Sequence, residues 1–282
     1  MGSVDPTTLN TLRSAVCMIV ALPFVIFYWR RLNRQNFVYA IGAGVCTAVA
    51  VTLTTYALQS SQASYVVVMS LIGPIVLVLF SSYFFHEKVK IQAAAGVTLA
   101  ALGALVAVAL PLIIGGQTSL VVYPLATSLI VLASIFLPLA TIFLRKANEA
   151  GLPLTSTQGI SATVVMAASF LATFAIHGTI VNPATVSLQS WIGIGYSALF
   201  VIFFARVIST ASFERIGSAL TGGITYLGII VALIIPVVFL HERLSAATIL
   251  GGVLILLGVY VTERHHQTTY SHLRHTVHHH VQ

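Results

Sequence analysis

Apolar residues in this chain run in long blocks separated by short connections. Nine such blocks span about 10–29, 37–58, 64–85, 91–113, 121–144, 155–176, 190–211, 217–240 and 246–262. Each is close to the roughly 17–25 residues that an α-helix needs to cross a bilayer. In lipid a backbone can satisfy its own polar groups as a helix or as a closed barrel. The strict alternation of a barrel strand is absent, so the blocks predict helices. The first block could pass for a signal peptide, but its basic residues Arg30, Arg31 and Arg34 follow the apolar run instead of preceding it.

Composition removes the soluble alternatives. Of 282 residues, 58% are hydrophobic and 7% charged, against about a quarter charged in a soluble domain. The net charge of +7 could suggest nucleic acid, yet the charges sit in short loops between apolar blocks, which makes the bilayer the expected partner instead. Cys17 and Cys46 lie inside apolar blocks and suggest neither a disulfide nor a metal site.

The loop charges also orient the chain. Threading nine spans with the N-terminus outside collects Arg30, Arg31, Arg34, Lys88, Lys90, Arg145, Lys146, Arg215, Arg264 and Arg274 on one face. Arg13 and Arg243 fall on the other face, and Arg206 lies within a span. Positive charge marks the cytoplasmic side, so the N-terminus is expected outside and the C-terminus inside.

A repeat runs through these blocks. His86-Glu87-Lys88 returns as His241-Glu242-Arg243 at a shift of 155 residues. Gly73 pairs with Gly228, Gly96 with Gly251, Leu102 with Leu257 and Gly103 with Gly258 at the same shift. The threading puts the first triplet on the cytoplasmic face and the second on the outer face. Two copies of opposite orientation are the signature of a carrier with its site near the midplane.

Tyr56-Ala57-Leu58, Gln62-Ala63-Ser64, Leu71-Ile72-Gly73-Pro74, His86-Glu87-Lys88, Gly96 and Gly103 together resemble the repeat of the EamA family in the drug/metabolite transporter superfamily. Ser212-Phe213-Glu214-Arg215 through His241-Glu242-Arg243, Gly251 and Gly258 resemble it again. The resemblance covers about 10–262 and implies two inverted five-helix repeats that export or exchange small metabolites such as amino acids. Here the first copy shows no block before residue 10. The expectation is therefore an all-α integral membrane protein of about nine transmembrane helices, in two inverted-topology repeats of four plus five. Its parts would be 1–113, 121–262 and a His-rich cytoplasmic tail at 263–282. It would be a multi-pass protein of the cell membrane, working on a small-molecule substrate without a cofactor.

Candidate substrate contacts are the polar or helix-breaking positions within spans. Arg206 interrupts an apolar run, where a charge points to function, although its long stem could also reach water. Pro74 lies mid-span beside Ser70 and Gly73 and can free a carbonyl. Tyr56, Ser70, Thr225 and Tyr226 offer polar atoms; Ser70 and Thr225 are counterparts at the 155 shift, though small hydroxyl residues also simply pack helices together. Tyr65 and Tyr196, nearer span ends, read as residues of the interfacial belt. Glu87 and Glu242 fit a structural or gating role at helix starts, with His86 and His241 interfacial beside them. Seven histidines follow Glu263, but no carboxylate or thiolate accompanies them, so no metal site is assigned. Ser161 and His177 hint at an intramembrane hydrolase, yet they fall toward opposite ends of one span, too far apart to hydrogen bond. All six carboxylates (Asp5, Glu87, Glu149, Glu214, Glu242 and Glu263) lie at span ends or in loops, which favours facilitated exchange over proton coupling.

The inverted repeat predicts opposite sidedness for the two triplets. In membrane vesicles of known orientation, an impermeant maleimide should label Glu87→Cys from the cytoplasmic side and Glu242→Cys from the outside. Labelling of both from one side would remove the inversion.

Overall fold

Lipid offers no partner to a backbone amide, so each apolar block closes its hydrogen bonds on itself. In the computed structural model, described for residues 6–70, 72–85, 123–177 and 186–212 and for scattered residues within 95–106 and 238–261, all regular structure among the described residues is helical. The helices are α1 (Pro6–Phe27), α2 (Arg34–Ser60), α3 (Ala63–Ser70), α4 (Ile72–Phe85), α5 (Pro124–Glu149), α6 (Leu154–His177) and α7 (Leu188–Tyr196). α7 continues as a π-helical stretch, Ser197–Phe204, and then as α-helix over 205–212. Five segments among the described residues are long and apolar enough to span: Thr7–Phe27, Arg34–Ser60, Pro124–Glu149, Leu154–Ala175 and Leu188–Ser212. The shortest, 21 residues, measures about 31 Å at ~1.5 Å per residue, matching a hydrocarbon core of about 30 Å.

The spans expected at 10–29, 37–58, 121–144, 155–176 and 190–211 are all present, most of them longer than expected by up to five residues at an end. The block at 64–85 is represented by α3 and α4. Those at 91–113, 217–240 and 246–262 lie largely outside the described residues.

Local chemistry sets the helix ends. Pro6 and Pro124 each open a helix, where a missing N–H costs nothing. Asn33 and Asn36 form a reciprocal cap on α2: Asn36 N donates to Asn33 Oδ1 (2.8 Å), and Asn33 N to Asn36 Oδ1 (2.9 Å). α5 closes on Gly151, whose φ of 94° suits glycine. Leu152 N reaches back to Ala147 O and Gly151 N to Asn148 O, which delivers a fully buried Leu152 against Ala40 and Ile160. Asn36 Nδ2 donates to Arg31 O (2.9 Å) and lies 3.5 Å from Ala150 O. The α1–α2 and α5–α6 connections thus meet at one end, bringing Arg30, Arg31 and Arg34 to the same end as Arg145 and Lys146. That agrees with their common face in the charge threading.

The chain divides into two compact units. Unit 1 comprises Met1–Tyr56 and Leu132–Arg215; unit 2 comprises Ala57–Val131 and Ile216–Gln282. In unit 1, α1 runs antiparallel to α6, as the pairs Thr11–Thr173, Ala21–Gly159 and Phe24–Ser156 show. Small residues Cys17, Ala21 and Ala162 are buried where they meet, together with Ala198 and Phe203 of the π-helical stretch. Unit 2 buries Ala57, Val66, Met69, Ala126 and Ile130, with Tyr65 and Tyr123 beside them. Large apolar side chains such as Phe27, Leu171 and Leu188 face outward, as a lipid solvent requires.

Two glycines set how closely helices approach. A Cβ on Gly159 would lie 2.6 Å from Val25 Cγ2 and 2.9 Å from Ala21 Cβ. One on Gly44 would lie 2.6 Å from Val164 Cβ. Gly44→Ala and Gly159→Ala should each destabilise the detergent-purified protein by about 1–3 kcal/mol through overpacking, read as a lowered thermal midpoint. Gly193→Ala, with nothing within 4 Å of its added carbon, should leave the midpoint within about a degree of wild type, as surface substitutions generally do.

Candidate functional site

Most hydroxyl residues on the spans satisfy themselves. Thr54, Thr141 and Thr163 each donate to the carbonyl one turn back, at 2.8, 3.2 and 3.0 Å. Ser70 does the same to Val67 O at 2.7 Å, so its Oγ offers a ligand only acceptor capacity. Against that background the unsatisfied groups stand out. Among the described residues, five buried side-chain atoms have no hydrogen-bond partner: Arg13 Nε, Gln158 Oε1, Ser161 Oγ, Ser169 Oγ and Arg206 Nε. All five belong to α1, α6 and the α7 segment of unit 1.

Arg206 follows the π-helical stretch by two residues. Its Nη2 donates to Thr47 Oγ1 on α2 at 3.3 Å, and its Nε is buried and unpaired. The guanidinium is therefore turned into the helix contact and bonded there, which a stem stretching to water would not achieve. Nearby, Gln158 Nε2 on α6 donates to Ile202 O at 3.1 Å, within the π-helical turns. Stretches of this kind interrupt the regular ladder and are frequent at functional sites.

Arg13 departs most from expectation. The charge threading placed it at the outer face, yet it lies on the seventh residue of the span Thr7–Phe27. Its Nη2 donates to Asn10 Oδ1 (2.9 Å), and its Nη1 lies 3.5 Å from Ser197 Oγ. Asn10, fully buried, also bonds Thr55 on α2 (3.2 Å). One further pair, Thr11–Thr173 at 3.5 Å, ties α1 to α6. Glu149 is the one carboxylate among the described residues, and it pairs with Arg145. Neither Arg13 nor Arg206 therefore meets a counter-charge among the described residues. An arginine at a span centre costs roughly 2.5–3.5 kcal/mol on insertion scales, and these two lie away from the centres of their spans, where the cost is smaller.

The signal for Arg13 was in the sequence. Thr7, Asn10, Ser14, Cys17 and Ala21 recur at helical spacing, and all are buried. This polar stripe faces inward, the reverse of a soluble helix. It was hidden because the apolar block was taken to start at residue 10, four residues after the helix does.

Other candidates fall as follows. Tyr56 is half-buried on α2 in unit 1. Ser70 ends α3, and Pro74 lies within α4, both in unit 2. Tyr65 is half-buried, bonds Thr127 and packs edge-on against Tyr123 at 5.6 Å. Tyr196 is exposed and stacks on Phe200. Thr225, Tyr226, Glu87, Glu242, His86, His241 and the histidine tail lie outside the described residues.

Comparison with known proteins adds the family. None of the curated proteins compared matches the chain. A solved crystal structure is similar in fold, with a TM-score of 0.64 at 18% identity over 93% of this chain and 89% of that one. The sequence profile of the EamA-like transporter family matches twice, over residues 1–109 and 124–264. A helical chain with several apolar spans that matches that profile along nearly its whole length is an integral membrane protein, and it belongs to the EamA-like transporter family.

Proposed function

We propose that the protein carries a small organic solute, such as an amino acid, across the cell membrane by alternating access between two inverted repeats, 1–113 and 121–262. The observation that carries this reading is the double match to one transporter family, once in each half of the chain. Opposite orientation of the halves, as the loop charges imply, would let them exchange roles around a midplane site. In this reading Arg206 attracts an anionic group of the solute, and Tyr56, Ser70, Pro74, Thr225 and Tyr226 contribute to its path. Glu87 and Glu242 serve at the two faces, as helix-end charges or gates.

An intramembrane hydrolase is disfavoured by distance. Ser161 and His177 sit sixteen residues apart on α6, about 24 Å along the axis at ~1.5 Å per residue. A non-transporting membrane subunit is the remaining alternative, and flux separates it from a carrier.

Proteoliposomes loaded with radiolabelled amino acids should lose label several-fold faster with the protein than without it. Absence of flux across a broad solute panel would favour the subunit reading. Arg206→Ala should reduce flux by about tenfold or more, the scale of losing a charged hydrogen bond, while reaching the membrane in normal amount. Unchanged flux would take Arg206 out of the path. Because the sequence puts all six carboxylates at expected span ends or in loops, an imposed pH gradient should leave the rate unchanged; a steep response would instead indicate proton coupling.

A further inference from the structure

Arg13 presents a charge that no group among the described residues balances. A guanidinium carries five N–H donors and a full positive charge. Here Asn10 Oδ1 and Ser197 Oγ, its two acceptors, are both neutral, and Nε is buried with none. A buried cation is stabilised by an opposite charge, and neutral dipoles alone leave much of its desolvation cost standing. As a structural element this cluster is poorly made. As a receptor it is well made, because the missing charge can arrive with a ligand.

Three further features support a receptor. The groups come from two spans, Asn10 and Arg13 on α1 and Ser197 on the α7 segment, with Thr55 on α2 holding Asn10, so one ligand would bridge α1 and α7. Arg13 lies four residues from the midpoint of its span, about 6 Å at ~1.5 Å per residue, near the depth where a carrier keeps its site. The α1–α6 register that pairs Thr11 with Thr173 and Ala21 with Gly159 brings Ser169, whose buried Oγ is also unpartnered, level with the turn that carries Arg13.

Charge counting selects the ligand. Arg206 lies nine residues from Ser197 along the α7 segment, about 13 Å at ~1.5 Å per residue. Arg13 alone therefore meets the ligand here and balances one negative charge, whereas a doubly charged phosphate would leave excess charge buried. A planar carboxylate fits the fork geometry of the guanidinium. We propose that Arg13, with Asn10 Nδ2 and Ser197 Oγ, binds the carboxylate of the transported solute, which is therefore a small organic acid or amino acid; Thr55, whose own proton goes to Val51 O, positions Asn10. The solute assignment rests on the transport reading above; the binding site does not.

The test is thermal unfolding of the purified full-length protein with acetate, benzoate or alanine, against benzamide and inorganic phosphate at matched ionic strength. At least one carboxylate should raise the midpoint saturably, and benzamide and phosphate should not. Arg13→Gln should weaken the apparent affinity by about tenfold or more, Arg13→Lys should retain part of it, and Arg145→Gln should match wild type. If Arg13→Gln does not fold, Thr55→Val and Ser197→Ala each give a milder loss by the same readout. No shift with any carboxylate, an equal shift with phosphate, or a wild-type shift in Arg13→Gln would overturn the site. Carboxylate binding at Arg13 without flux in proteoliposomes would support the site and sink the transport reading alone. Flux that Arg13→Gln leaves intact would overturn the solute assignment and leave transport standing.

Discussion

Everything in this protein follows from the absence of water around its polar groups. A backbone amide or hydroxyl on a spanning helix must find its partner within the protein or go without. The chain meets that demand locally wherever it can. Thr55 and Thr173 donate one turn back along their own helices, and Asn33 and Asn36 cap α2 reciprocally. Leu152 and Gly151 close the last carbonyls of α5. Once those bonds are made, the buried side-chain atoms left unsatisfied among the described residues are few, and they lie on helices of unit 1.

The same solvent reverses the usual meaning of burial. Lipid contacts Phe27, Leu171 and Leu188 as readily as a protein core would, so apolar side chains alone do not drive these helices together. Close approach does. Gly44 against Val164 and Gly159 against Ala21 and Val25 bring backbones near enough for dispersion and for long-range polar contacts such as Ser156 to Phe24 O. The polar stripe of α1 then belongs inside, where Asn10 reaches Thr55 and Arg13 approaches Ser197. Polar pairing and glycine packing are two parts of one contact.

The π-helical turns of α7 fit this scheme. A widened turn loosens the carbonyl ladder, and Ile202 O accepts from Gln158 across the helix contact. Arg206 follows directly after, bonded to Thr47. Irregular backbone at membrane depth is tolerated where protein partners take up the freed groups, and here a glutamine from α6 does so.

Hydropathy alone determined that the chain is helical and membrane-spanning, and its blocks located the five long spans to within a few residues. The loop arginines grouped 30–34 with 145–146, a grouping that the Asn36–Ala150 contact matches. Order and spacing of the repeated motifs pointed to the family. Arg206 was legible as a candidate because one charge in an apolar run is conspicuous on any average. Arg13 was not, because a block boundary drawn at residue 10 put it at the surface, and a window average cannot tell a span end from a buried stripe. Only tertiary structure set its depth and gave it Ser197 and, through Asn10, Thr55. The Arg13–Ser197 and Asn10–Thr55 contacts join residues 184 and 45 apart in the chain, and no local pattern carries contacts made at that separation.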